Sequence, residues 1–173
     1  MILLLAGATH SGKTAFAQKL MRQHGISHLS IDHIKMGLIR SGQTQLTPMD
    51  DDKLTDYLWP ILREMIKTAV ENGQSFILEG CYIPPDWQKD FSPQYLQHIR
   101  YCCLILSKEY IKAHFDDIKA FANAAETRLD DNGLCVEELI EENERNLALC
   151  RQHRLPYILI EDIYDPQLPF SLA

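Results

Sequence analysis

The sequence predicts an α/β fold with a parallel sheet that is covered by helices on both faces. Five short segments have strand length, amphipathic segments separate them, and no internal repeat or linker interrupts the pattern. They are ILLLA (2–6), ISHLSID (26–32), SFILEG (75–80), IRYCCLILS (99–107) and LPYILIE (155–161), and the second of them has alternating apolar residues rather than a continuous apolar run. Because strands that alternate with helices usually pair in parallel, we expect a five-stranded parallel sheet in one domain over residues 1–173.

The first two helices have clear apolar stripes. Residues 13–24 place apolar side chains at helical spacing, and a longer pattern runs from Pro48 to Glu71. Thr47 is predicted as the N-cap of the long helix, with Pro48 at its first position. Pro60 lies inside this pattern, so we expect a kink or a break there.

The remaining connections also read as helical. A loop and a short helix are predicted between the third and fourth strands. Ser107 is positioned to cap a helix that runs to Phe121, with a buried face formed by Ile111, Phe115 and Ile118. A further helix is predicted from Val136 to Cys150.

Amino-acid composition argues against several classes of protein and of binding partner. The chain of 173 residues is 46% hydrophobic and 24% charged, as in ordinary globular proteins. Its net charge of −7 argues against a general nucleic-acid or anionic-membrane surface, although a local basic pocket is compatible with an acidic average. The apolar run 2–6 is too short for a signal peptide, and no run approaches the ~20 residues of a membrane helix. The cytoplasm is therefore the expected location, and composition does not predict an oligomeric state.

Five cysteines are present, and none forms a CxxC pair. Cys102 and Cys103 are adjacent inside an apolar run. Buried thiols are therefore a simpler interpretation than a disulfide framework or a cysteine metal site.

The segment GATHSGKT follows the first strand and opens the first helix, which is the context of a phosphate-binding loop. Glycines let successive N–H groups turn toward an anion, and the helix N-terminus adds a positive dipole. The lysine would reach the outer phosphates of a nucleoside triphosphate, and the threonine hydroxyl would bind magnesium. The predicted nucleotide-binding residues are Gly7, Thr9, His10, Ser11, Gly12, Lys13 and Thr14. The sequence leaves open whether His10 approaches the γ-phosphate or is an exposed loop histidine.

The segments GATHSGKT, SIDHIKMGLIRSG (30–42) and ILEG (77–80) together resemble the small P-loop kinases. That group includes adenylate, shikimate and gluconate kinases and chloramphenicol phosphotransferase, and no single member is closely similar. The resemblance implies the P-loop NTPase fold and the use of ATP and Mg²⁺. No NKxD segment typical of GTPases is present.

The resemblance also implies where the phosphoryl acceptor binds. Asp32, after the second strand, would orient or deprotonate the acceptor hydroxyl, unless it only caps a helix that begins at His33. Arg40 lies where adenylate kinase has an arginine on its acceptor phosphate, so an anionic acceptor is implied. Lys35 would assist, or it is a solvated helix lysine.

The third strand ends at a second candidate position. Glu79 would hold a magnesium-bound water, although the related kinases more often carry aspartate there. Gly80 and Tyr82 follow it and would line the acceptor site. A charged residue at the end of a buried apolar run is otherwise unusual.

The resembling kinases close a lid after the fourth strand, which corresponds to a segment within residues 108–135. Residues 116–144 contain ten acidic residues and only two basic ones, so Arg128 is the candidate catalytic arginine within the lid. The acidic run is most simply a solvated helical face.

The sequence thus predicts an ATP- and Mg²⁺-dependent kinase for a small hydroxyl-bearing or phosphorylated metabolite, with Lys13, Asp32 and Arg128 as catalytic residues. The sparse lid arginines leave an alternative, which is a nucleotide-binding regulatory or partner protein that transfers nothing. A nucleotide-sugar kinase related to the zeta toxins is a further possibility, for which the sequence shows no antitoxin partner.

Overall fold

The computed structural model describes residues 1–121 and 134–172. Its five strands are β1 (Ile2–Gly7), β2 (Ser27–Ser30), β3 (Phe76–Glu79), β4 (Ile99–Leu106) and β5 (Tyr157–Ile160). Its helices are α1 (Lys13–His24), α2 (Ile31–Arg40), α3 (Asp51–Glu71), α4 (Pro93–Leu96), α5 (Lys108–Phe121) and α6 (Val136–His153), with a 3₁₀ turn at Trp87–Asp90. The fold class predicted from the sequence is confirmed.

All strand pairs are parallel, and their order across the sheet is β2-β3-β1-β4-β5. β1 therefore lies at the centre, and the chain leaves it toward β2 on one side and later crosses to β4 on the other. The carboxyl ends of neighbouring strands lie together at such a point, where open α/β sheets bind their ligands.

Side chains alternate between the two faces of β1, so each face has its own apolar cluster. Leu4 packs with α2 and α3, including Ile31, Leu58 and Leu62. Leu3 packs with α1, α5 and the start of α6, including Phe16, Ile111 and Leu139. Helices cover both faces of the sheet, as the sequence predicts.

Helix starts differ from the sequence-based expectation at two places. The second strand ends at Ser30, so the helix begins at Ile31. The long helix begins at Asp51 rather than Pro48, and Asp50, not Thr47, is its N-cap residue. Residues 47–50 instead form a turn in which Thr47 donates its N–H and hydroxyl to the Asp50 carboxylate, and these bonds lower the pKa of Asp50 to about 2.

Of the kink or break predicted at Pro60, the break does not occur, since α3 is one helix from Asp51 to Glu71. Pro60 is exposed, so the carbonyl that loses its helical partner lies on the side of α3 that faces water. The predicted cap at Ser107 is confirmed, since its Oγ accepts the Tyr110 N–H at 3.0 Å.

Within the described residues, no helix combines the length and apolar character that crossing a membrane requires.

Candidate active site

The phosphate loop joins β1 to α1 at the centre of the sheet. Gly7 has φ +152°, and a Cβ there would lie 2.5 Å from the Leu104 carbonyl oxygen. Gly12 has φ +84°, and a Cβ there would lie 2.0 Å from the Tyr164 hydroxyl. Both positions thus require glycine for conformational and steric reasons, and the absence of a Cβ lets Leu104 and Tyr164 pack directly against the loop backbone.

Lys13 begins α1, and only 7% of it is exposed. Its Nζ donates to the carbonyl oxygen of Ala8, at 2.7 Å, within the same loop. Burial lowers the pKa of Lys13, but the neighbouring Cys81, Glu79 and Glu142 raise it, and the net effect is a raised pKa. The ammonium is therefore charged at neutral pH and available for phosphate oxygens.

Thr14 and Glu79 meet across the loop. Glu79 is the last residue of β3 and only 1% exposed, and its Oε1 accepts the Thr14 hydroxyl at 3.1 Å. A hydroxyl beside one buried carboxylate suits Mg²⁺, which binds one or two protein oxygens, phosphate oxygens and waters.

Polar contacts connect α2, Tyr82 and α3, where the sequence predicts that the acceptor binds. Lys35 on α2 forms an ion pair with Asp32 and donates to the Tyr82 hydroxyl at 2.9 Å. The Tyr82 hydroxyl in turn donates to Asp51 Oδ1 at 2.8 Å. Burial and the Asp51 carboxylate raise the pKa of Tyr82, so its phenol keeps its proton.

These polar contacts and the start of α2 correct two interpretations of the sequence. Lys35 is not a solvated helix lysine, because only 12% of its side chain is exposed and its ammonium contacts Asp32 and Tyr82. Asp32 does not cap a helix at His33, because α2 begins at Ile31 with Ser30 as its N-cap residue. Asp32 lies in the first turn of α2, where the helix dipole favours a carboxylate.

The other site residues that the sequence predicts differ in their distance from the carboxyl edge of the sheet. Gly80 directly follows Glu79, and its N–H donates to the Leu5 carbonyl at 3.1 Å. Arg40 is exposed at the end of α2, about 12 Å along the helix axis from Asp32 at ~1.5 Å per residue. Of the range 108–135 in which the lid is predicted, residues 108–121 belong to α5, whereas residues 122–133, with Arg128, lie outside the described residues.

Two residues that the sequence did not indicate contact the loop. Glu142 on α6 accepts the Thr9 N–H through Oε1 at 3.1 Å. It belongs to the acidic run that reads as a solvated helical face, so no sequence signal separates it from its exposed neighbours.

Tyr164 follows β5 and contacts the loop from the other side. Its hydroxyl hydrogen is shared between the carbonyl oxygens of Ser11, at 3.2 Å, and Gly12, at 3.0 Å. An ion pair between Lys19 and Asp165, at 2.8 Å, ties the same segment to α1. No motif marks this segment, so sequence analysis missed it.

A surface groove of about 810 Å³ lies elsewhere. Ser27 and Phe76 line it, and these residues begin β2 and β3. The groove is thus near the amino ends of the strands, whereas the phosphate loop, Asp32 and Glu79 gather at the carboxyl ends. The candidate site is at the carboxyl ends.

Comparisons with known proteins agree with this architecture. A deoxyadenosine kinase from M. mycoides superposes with a TM-score of 0.57 and 13% sequence identity over 92% of this chain and 90% of that chain. A kinase candidate from Chloroflexus aurantiacus superposes with a TM-score of 0.54 and 17% identity over 94% of this chain and 88% of that chain. At such identities the likeness shows the fold alone.

A search of curated proteins found no match. A family model described as an AAA domain matches residues 2–107, which include the phosphate loop, Asp32, Glu79 and Tyr82. Because that match spans more than half of the chain, the protein belongs to the AAA domain family, and its fold is that of the P-loop kinases.

Proposed function

We propose that the protein is an ATP- and Mg²⁺-dependent phosphotransferase that acts on a small hydroxyl-bearing or phosphorylated metabolite. One observation carries this proposal. A phosphate loop with a buried, charged lysine shares the carboxyl edge of the sheet with the Asp32 carboxylate, which pairs with Lys35, and Lys35 in turn donates to the Tyr82 hydroxyl. A donor site and a polar acceptor site side by side are the two parts that phosphoryl transfer requires.

The nucleotide half of the reaction uses the loop. Its N–H groups and the Lys13 ammonium bind the β- and γ-phosphates, and Lys13 moves from the Ala8 carbonyl to phosphate oxygens when they arrive. The Thr14 hydroxyl and Glu79 would hold Mg²⁺, directly or through water. The metal would neutralise charge on the phosphates and fix their geometry.

The acceptor half uses Asp32. Its carboxylate orients the acceptor hydroxyl and accepts its proton as the acceptor oxygen bonds to the γ-phosphorus, while the bond from that phosphorus to the β–γ bridging oxygen breaks and ADP leaves. Lys35 holds that carboxylate in place, and Tyr82 connects Lys35 to Asp51 at the start of α3. In this proposal Arg40 binds an anionic group of a larger acceptor, and Arg128 remains the sequence-based expectation for the arginine on the transferred phosphoryl group.

The proposal is tested by incubating the protein with Mg-ATP and a pooled metabolite library and recording the products by mass spectrometry. We expect a phosphorylated metabolite that appears only with protein and only when both ATP and Mg²⁺ are present. Failure to phosphorylate any member of a broad library of hydroxyl compounds, with ATP binding intact, would argue against the proposal.

One observation favours a second candidate function, a nucleotide-binding regulatory or partner protein that transfers nothing. Residues 116–144 contain only two basic residues, Lys119 and Arg128, so few cations are available in this segment to stabilise a transferring phosphoryl group. Such a protein would bind nucleotide without needing Asp32.

Tyr164→Phe is expected to weaken the binding of ATP and ADP alike by about 2- to 10-fold, since it removes one hydrogen bond to the loop backbone. The turnover number should stay within about twofold, because Tyr164 acts on the position of the loop. Titration calorimetry and steady-state kinetics measure the two effects. The matched control is Tyr57→Phe, which removes a hydroxyl that donates to the Gln43 carbonyl instead. Unchanged nucleotide affinity in Tyr164→Phe would show that the contact does not position the loop.

A further inference from the structure

A carboxylate from another helix enters the phosphate loop. Glu142 on α6 lies 133 residues from Thr9 in sequence, yet its Oε1 accepts the Thr9 N–H at 3.1 Å. The N–H groups of such a loop form a nest that binds anions. Here the anion at Thr9 belongs to the protein.

Glu142 lies among groups that would also bind a phosphate of the nucleotide. Lys13, the residue that would bind the outer phosphates, is close enough for Glu142 and Glu79 to raise its pKa. Burial raises the pKa of Glu142, and Asp51 on α3 acts in the same direction, while the Thr9 N–H, Lys13 and Arg145 act in the opposite one. Glu142 thus shares a backbone donor and a cation with the nucleotide that the loop would bind.

We propose that Glu142 occupies the position of the terminal phosphate in the nucleotide-free loop, so that a nucleoside triphosphate must displace this carboxylate while a diphosphate need not. The proposal rests on the proposed nucleotide binding by the loop. Two anions cannot both accept the single Thr9 N–H at hydrogen-bonding distance, and like charges brought together in a site of low dielectric repel strongly.

The structure provides space for the displaced carboxylate. A cavity of about 60 Å³ lies beside the loop, and Gly7, Cys81, Glu142 and Asn146 are among the residues that line it. A rotation of the Glu142 side chain into this space would free the Thr9 N–H without moving α6. Glu142 would then oppose triphosphate binding by its charge and would leave the fold unchanged.

The test compares the dissociation constants of Mg-ATP and Mg-ADP for the wild type, Glu142→Gln and Glu141→Gln, measured by titration calorimetry. Glu142→Gln removes the charge and keeps an oxygen that accepts the Thr9 N–H. Glu141 is the exposed neighbour of Glu142. Because both are glutamates, Glu141→Gln changes the net charge by the same amount. We expect Glu142→Gln to bind ATP roughly 3- to 10-fold more tightly, with the ADP affinity within about twofold. Glu141→Gln should bind both nucleotides like the wild type.

Glu142→Ala is the second variant, and the same gain for ATP alone is expected, with thermal unfolding recorded for each protein. Equal gains for ATP and ADP, or no gain in either variant, would overturn the assignment of Glu142 to the terminal phosphate position. A wild type that binds neither nucleotide would instead contradict the proposed function itself, so the two failures are distinguishable.

Discussion

Lys13→Ala is expected to abolish phosphoryl transfer, with a loss of at least about 10²- to 10³-fold in turnover. Lys13 is the buried cation of the phosphate loop, and its Nζ lies 2.7 Å from the Ala8 carbonyl oxygen. Alanine leaves the backbone N–H groups in place but removes the charge that stabilises the transferring phosphoryl group. Product formation and ATP binding are measured together, by mass spectrometry and titration calorimetry.

Lys53→Ala is the matched control for Lys13→Ala. Lys53 is an exposed lysine on α3 that pairs with Asp50, and its loss changes the net charge by the same amount. Turnover in this variant should equal that of the wild type. If Lys13→Ala retained more than about a tenth of the wild-type rate, the loop lysine would not stabilise the reaction as proposed.

Asp32→Asn is expected to lower turnover by about 10²- to 10⁴-fold, while the dissociation constant of Mg-ATP changes by less than about twofold. Asparagine has nearly the same shape but cannot accept the acceptor proton, and it replaces the ion pair with Lys35 by a weaker contact. Kinetics with the identified acceptor, together with calorimetry on ATP, separate the two effects.

Asp32→Asn also separates the two candidate functions. A regulatory nucleotide-binding protein should respond to ATP in the same way with or without the Asp32 carboxylate. Asp56→Asn on the exposed side of α3 controls for the change in charge. Wild-type turnover in Asp32→Asn would show that another group receives the acceptor proton.

The sequence predicts the sheet and the phosphate loop well, because both depend on local patterns. Residues 13–24 form α1 as predicted, and the five predicted strand segments become the five strands. A buried parallel strand needs a continuous apolar run, and a phosphate loop needs its glycines and lysine at fixed spacing. Each of these two signals lies within a few consecutive residues.

The boundaries of α2 and α3 depend on a competition between alternative local structures. Ile31 is entirely buried and begins a helix, although its neighbours alternate like a strand. Thr47 and Asp50 both suit an N-cap, and the structure uses Asp50 as the acceptor for Thr47. Propensity alone does not rank such alternatives.

The contacts that complete the site are long-range, and the sequence does not encode them in a motif. Tyr82 reaches Asp51 across 31 positions, Glu142 reaches Thr9 across 133, and Tyr164 reaches Gly12 across 152. Each pair depends on the order of strands and on how the last helix and the C-terminal segment return to the sheet. The contacts of Glu142 and Tyr164 with the loop therefore depend on the fold and have no local sequence signal.

Following the γ-phosphoryl group itself distinguishes phosphoryl transfer from nucleotide binding alone. ATP labelled with ¹⁸O on the γ-phosphate is incubated with the protein, Mg²⁺ and the metabolite pool, and the fate of the label is read by mass spectrometry. We predict labelled phosphate on an organic acceptor in equal amount to the ADP formed. Label found only in inorganic phosphate, or only in unreacted ATP, would contradict phosphoryl transfer and favour a nucleotide-binding protein.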